Sequence, residues 1–225
     1  MLRKTLFGWM AMLLLAGCTS DQQFRPENLA KRDLDFVTDT HIQQLDTLLK
    51  SLMKKLYLRN PRELSKTADA TIESRIDLIF SLPPPLIFDE LGGKESIDAM
   101  LLGLDPEYQG DRVFAVMVGL AGMLDQAYDN KEEFFILDTL DQQKLYNSAR
   151  NLEVLAWRLK TRVDTNGTLL LLTNHLDPAD PNLSFERLFG KMIALQDNLA
   201  MIVSQRNGRT INLILHGLAT SFLAI

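Results

Sequence analysis

Between Arg112 and Asp125 the chain runs through twelve residues with no charge and almost no polarity: Val113, Phe114, Val116, Met117, Val118, Leu120, Met123 and Leu124, spaced by small residues. At helical periodicity these positions cover every side of the cylinder, and a helix that is apolar all round has to be enclosed on all sides. Twelve residues are too few to cross a bilayer, which takes about 20, so the enclosure has to be protein. Gly119 and Gly122 cost helical propensity, and the compensation expected is a second backbone passing close to them. The rest of the chain is therefore expected to wrap a central helix over residues 111–128.

Amphipathic segments of the right kind are present. Ile42, Leu45, Leu48, Leu49, Leu52, Met53 and Leu56 share one face over residues 40–58, with Asp39 and Thr40 as N-cap candidates and Asn60-Pro61 as the stop. A second helix is expected over 68–81, with Ile72, Ile76, Ile79 and Phe80 inward, ended by Pro83-Pro84-Pro85. Leu86-Ile87-Phe88 reads as a short extended piece before Gly92-Gly93, and a short helix is expected over 94–102. Residues 141–162 carry the stripe Leu145, Ala149, Leu152, Leu155, Ala156 and Leu159. Thr168 to Thr173, after the Asn166-Gly167 turn, fits either a buried helical turn or a short strand. Ser184 is placed to cap a helix to about residue 205, with Leu183 and Leu188 at the two positions of a hydrophobic staple, and residues 211–225 read as a last apolar helix. The fold class expected is all-α: a compact bundle of six or seven helices with little or no sheet. No segment recurs at a fixed spacing, so a repeat array is not expected.

The first residues have another character. Arg3 and Lys4 precede the apolar run Leu6 to Leu15, the layout of an export signal and too short for a permanent span. The run ends in Leu15-Ala16-Gly17-Cys18. This resembles the lipobox of bacterial lipoproteins at all four positions. The resemblance implies cleavage between Gly17 and Cys18, a diacylglyceryl group on the Cys18 sulfur and an acylated amino terminus. One acyl chain holds a protein only marginally, whereas two or three hold it durably. It further implies a bacterial envelope location, with Thr19 after the cysteine favouring the outer membrane and a periplasmic face. The organisation expected is a signal over 1–17, a lipidated N-terminus and polar tether over 18–38, and one helical domain over 39–225.

Charge and cysteine usage narrow the chemistry. The signal holds two of the 24 basic residues and none of the 29 acidic ones, which leaves 22 against 29 in the mature chain, a formal charge of −7. That balance disfavours nucleic acid and a basic docking surface for anionic lipid. Cys18 is the only cysteine. Once acylated it leaves no thiol for a disulfide, for catalysis or for a metal.

His41, His175 and His216 have no second ligand at a recognised metal spacing, and His175 with Asp177 and Asp180 is the best local polar group. A helix-start cap, a solvated turn and a core imidazole are the simpler readings. The acidic pairs Asp89-Glu90, Glu132-Glu133 and Asp138/Asp141 are most simply solvent-facing. Phosphate-loop, dinucleotide, nucleophile-elbow and zinc-protease motifs are absent from the sequence, so no catalytic residue, metal or cofactor is assigned. The residues that stand out are apolar: Pro84, Leu86 and Phe88 in the proline segment, and Ile211, Ile214, Leu218 and Phe222 near the C-terminus. Packing on their own domain is the simpler expectation, and docking of a partner protein, or lining a groove for an acyl chain, is the functional one. The function expected is that of a lipid-anchored binding or assembly accessory with a protein partner. A carrier of hydrophobic ligand comes second and an envelope-modifying enzyme third.

Overall fold

The computed structural model describes residues 31–174, 182–212 and 221–225. The signal, Cys18 and most of the tether lie outside the described residues, as do His175, Asp177, Asp180, Ile214, His216 and Leu218. The described chain is all-α, with seven α-helices: α1 Asp33–Arg59, α2 Pro61–Leu64, α3 Ile72–Phe80, α4 Ser96–Gly103, α5 Arg112–Ala127, α6 Gln142–Thr161 and α7 Ser184–Asn207. No sheet occurs among the described residues; Val163 and Leu169 form one isolated antiparallel bridge.

Helix α5 is the centre. Fourteen of its sixteen residues are buried, and α1, α2, α3, α4 and α6 all pack on it. Asp111 caps it, its carboxylate accepting from the Phe114 N–H at 3.0 Å. The close approach expected at its glycines is made by α4: a Cβ on Gly119 would stand 2.3 Å from the backbone nitrogen of Met100 and 2.6 Å from the Ser96 carbonyl oxygen. On the α4 side, a Cβ on Gly103 would stand 2.8 Å from a Val116 methyl. Two helices can meet this closely only where no side chain intervenes. At the other end of α4, the Arg112 guanidinium collects the carbonyls of Gly103, Asp105, Pro106 and Tyr108, serving as a C-terminal cap.

Helix α1 starts seven residues before the expected position, so residues 33–38, expected as part of a polar tether, are helical. The backbone N–H of Arg32 donates to the Asp35 carboxylate at 2.7 Å, and Asp33 and Asp35 place negative charge at the helix N-terminus. Asp39, expected as the cap, lies inside the helix, where it receives Lys31 and, at 2.9 Å, the Phe134 N–H. Its capping chemistry is spent on a distant segment. Helix α3 begins with a reciprocal cap between Thr71 and Ser74. In α7 the acceptor for the Ser184 N–H is Asn182 at 3.0 Å, so Ser184 itself is not the cap. Helices α6 and α7 run antiparallel, with Lys160 opposite Glu186 and Arg150 opposite Asp197.

Three amide side chains, Asn60 between α1 and α2 and two on α6, pair with the backbone of neighbouring non-helical segments. Asn60 accepts from the Leu172 N–H at 2.7 Å and donates to the Leu172 carbonyl at 2.9 Å. Residues 168–173 are neither a helical turn nor a strand: a single bridge residue, Leu169, is followed by bends at Leu170 and Leu171, both of which are buried. Asn151 makes the same pair of bonds with Leu223, at 2.7 and 2.9 Å, and Gln143 makes it with Asn212, at 2.8 and 3.3 Å. An amide group carries one acceptor and a donor in the arrangement of a peptide unit, so it can complete an otherwise unpaired backbone.

The described ends of the segment expected as a last helix, residues 211–212 and 221–225, are not helical. They lie along α6 because Asn151, Asn147 and Gln143 hold them there.

Candidate functional site

The proline segment joins α3 to a 3-10 turn at Asp89–Leu91, bending at Leu82 and at Pro84-Pro85, where the peptide bond is cis. From Pro85 to Phe88 exposed side chains alternate with buried or half-buried ones. Leu86 is buried in the core, and Phe88 is half-buried, its ring edge-on to Phe114 at 5.0 Å. Pro84 is intermediate in exposure. Leu86 and Phe88 are therefore core residues, not surface ones. The outward side of the segment belongs to Leu82, Pro83, Pro85 and Ile87, with Leu78 exposed one helical turn before Leu82.

At the C-terminus, Ile211 and Phe222 are half-buried and pack on the core. The Arg158 guanidinium carbon stands 4.5 Å from the centre of the Phe222 ring. These two residues dock on their own domain.

Behind the proline segment lies a polar cluster that the sequence reading did not find. Arg75, on the inner face of α3, donates to both Glu90 oxygens at 2.8 Å and approaches Asp111 at 3.4 Å. Its guanidinium lies 3.5 Å above the centre of the Phe114 ring. The buried Tyr57 hydroxyl donates to Asp111 at 2.7 Å. Burial works to lower the Arg75 pKa, but the bonds to Glu90 and Tyr57 outweigh it and the net direction is up. Burial, reinforced by the Asp111 charge, pushes the Tyr57 phenol up as well, so it remains a donor. Beside this cluster the Glu63 carboxylate takes the Arg112 N–H at 2.9 Å and the Lys66 ammonium at 2.7 Å. Every charged group here has a partner within the fold, and the cluster ties α1, α2, α3 and α5 together. The available signal was Arg75 itself, three residues after Ile72 and four before Ile79, on a stripe otherwise apolar.

Each acidic pair has at least one member with a structural partner, while Asp89 and Glu132 are exposed. Glu90 pairs with Arg75, Glu133 with Lys31 at 3.5 Å, Asp138 with Lys131 and the Phe135 N–H, and Asp141 caps α6. His41 lies in α1 against α7; burial lowers its imidazole and a hydrogen bond with the Leu195 backbone opposes the shift. Asp125 at the end of α5 is pushed up to about 7, first by burial and then by the charges of Asp46 and Glu132. Among the described residues no group of three or more His, Cys, Asp or Glu is arranged to hold a metal ion. None of their helices is long and apolar enough to cross a membrane.

A shallow depression with a cavity volume of only about 10 Å³ lies between α6, α7 and residues 173–174, lined in part by Leu159, Phe185 and Phe189. Ligand pockets for small molecules are typically about 300–1,000 Å³. Its rim is crossed by the Lys160–Glu186 ion pair, and Asn174 donates to Glu186 at 3.0 Å.

Compared with protein-family models, with curated proteins and with solved structures, the chain finds no match.

Proposed function

We propose that this protein is a lipid-anchored component of the bacterial envelope, attached through Cys18, whose helical domain serves as a binding or assembly accessory for another envelope protein. The observation that carries the reading is the way apolar surface is distributed. The middle of the bundle, where a carrier would hold its cargo, is filled by α5, whose apolar side chains are buried almost without exception. Meanwhile Leu82 and Ile87 are left about half exposed on a proline-stiffened segment. Such a segment loses little conformational entropy on binding, which favours recognition. The polar cluster behind it, from Arg75 to Glu90, holds the segment against α3 and α5 and so supports a preformed surface.

The envelope location rests on the lipobox resemblance, with the outer membrane and a periplasmic face favoured by Thr19. The experiment is made on the full chain in the cell. Wild type should fractionate with membranes and carry acyl chains on its N-terminal cysteine by mass spectrometry, and Cys18→Ser should abolish both. Crosslinking followed by purification should then yield a defined envelope protein with wild type that is lost in the double variant Leu82→Asp/Ile87→Asp. Both positions are exposed, so the variant keeps its fold. Persistence of the crosslink would refute the assignment of this surface. Co-purified lipid with no protein would favour the second reading, a carrier.

A further inference from the structure

The end of the tether and a separate apolar patch meet at one place on the molecule. The Lys31 ammonium lies 4.9 Å from the centre of the Phe135 ring and 6.0 Å from that of Phe36. Around it four large side chains face outward: Phe36 is 41 % exposed, Val37 38 %, Ile136 51 % and Leu137 91 %. The loop carrying the last two is pinned on both sides. Phe134 is buried, with its N–H on Asp39 at 2.9 Å and its ring edge-on to Tyr128 at 6.3 Å. Asp138 accepts from the Phe135 N–H at 2.9 Å, and its carbonyl accepts from the Arg32 guanidinium at 2.9 Å. These bonds fix the turn with Ile136 and Leu137 directed into solvent. Single exposed apolar residues are ordinary, but a pinned Ile-Leu tip and an exposed Phe-Val pair on the two segments that flank Lys31 concentrate apolar surface at one end of the domain, as interfaces do.

We infer that this patch rests in the lipid bilayer's interfacial layer, so that the domain is docked by its N-terminal end and does not merely hang from its anchor. The inference rests on the lipid-anchor reading of Cys18. Lipid is selected as the occupant by where the tether arrives. Twelve residues lie between Cys18 and Lys31, a reach of at most about 45 Å over the thirteen Cα–Cα steps, and the chain enters the domain at the patch itself. The opposite end of α1, 27 residues along, is about 40 Å farther at 1.5 Å per residue.

Charge specifies the kind of surface. Lys31 is paired with Asp39 and Glu133, and Lys131 with Asp138, while Asp33 and Glu132 are exposed nearby. The contact is therefore apolar and suits a zwitterionic headgroup layer; among the described residues Lys31 and Lys131, the lysines beside the patch, are both paired.

The test uses the acylated mature protein in phosphatidylcholine vesicles containing brominated acyl chains. Because Cys18 is the only cysteine and acylation occupies its sulfur, Leu137→Cys supplies a single thiol for an environment-sensitive fluorophore. Leu58→Cys, 64 % exposed near the far end of α1, is the control. The expected result is blue-shifted emission and bromine quenching at 137, with neither at 58. Intact acylation with an aqueous, unquenched label at 137 overturns the docking and leaves the anchor standing. Equal quenching at both positions overturns it too, since the protein would then lie along the surface without preference. A label shielded in native membranes but aqueous in vesicles overturns it in favour of a protein partner. A mass showing no acyl chain on Cys18 overturns the anchor and the docking together.

Discussion

Replacing Gly119 by alanine tests whether α5 is central because its surface is apolar or because α4 can touch its backbone. The added methyl carbon would stand 2.3 Å from the Met100 nitrogen and 2.6 Å from the Ser96 carbonyl oxygen. Ordinary contacts begin near 3.4 Å. Both obstructing atoms are backbone, so no rotamer change relieves the overlap and α4 has to withdraw by about 1 Å along its whole contact. Overpacking of this sort costs about 1–3 kcal/mol, and the helix gains back about 1 kcal/mol on losing a glycine. With the upper part of the range expected for a backbone obstruction, Gly119→Ala should destabilise by about 2 kcal/mol.

Gly122→Ala is the matched control. Its methyl would meet the Ser96 nitrogen at 3.4 Å, an ordinary contact, so the propensity gain survives and the variant should be neutral or up to about 1 kcal/mol more stable. Urea titration of the mature protein, followed by far-UV circular dichroism, reads both. The midpoint should fall for Gly119→Ala and hold or rise for Gly122→Ala, with the slope unchanged in each. In a domain of this size 2 kcal/mol corresponds to about 4–8 °C in Tm. A Gly119→Ala protein as stable as wild type would refute the backbone contact.

Two further predictions concern buried charge. Arg75→Met removes the cation between Glu90 and Asp111 and leaves the buried Asp111 carboxylate with only Tyr57 and the Phe114 N–H; a loss of about 3–5 kcal/mol is expected, and a smaller loss measured by denaturation would show that the pair contributes little. Asp125 is pushed up to about 7 by burial and by Asp46 and Glu132, so the folded state binds more protons than the unfolded one between the ordinary carboxylate range and pH 7. Its contribution is most favourable below that range and declines as pH rises to about 7. Asp125→Asn should remove this decline and raise Tm at pH 8 relative to wild type, and parallel Tm–pH curves for the two proteins would refute the shift.

Much of the architecture was legible in the sequence because it follows from local pattern. The apolar run of α5 demanded enclosure, its glycines demanded a crossing backbone, and the stripes of α1, α6 and α7 announced amphipathic helices. The errors came where one residue could serve a local or a distant purpose. Asp39 has the chemistry of a cap, but it receives the Phe134 N–H from residues nearly a hundred positions away. Five apolar residues in a row, Pro84 to Phe88, do not reveal which alternate set faces inward. Leu86 packs in the core, as the simpler expectation had it, whereas Ile87 is on the surface. The C-terminal segment is apolar enough for a helix, yet its described ends find backbone partners in amide side chains of α6.

What the sequence by itself determined is the helical class and the central element, since periodicity and apolar length are both properties of short stretches. What only the tertiary structure decided is which polar groups are shared between elements and which apolar residues remain outside: the Arg75 cluster, the Asn60 and Asn151 pairings, and the patch at Phe36 and Leu137. Those outcomes depend on which surfaces are brought within a hydrogen bond or a van der Waals radius of one another. Folding fixes such distances between residues that are far apart along the chain, and no local window contains both partners.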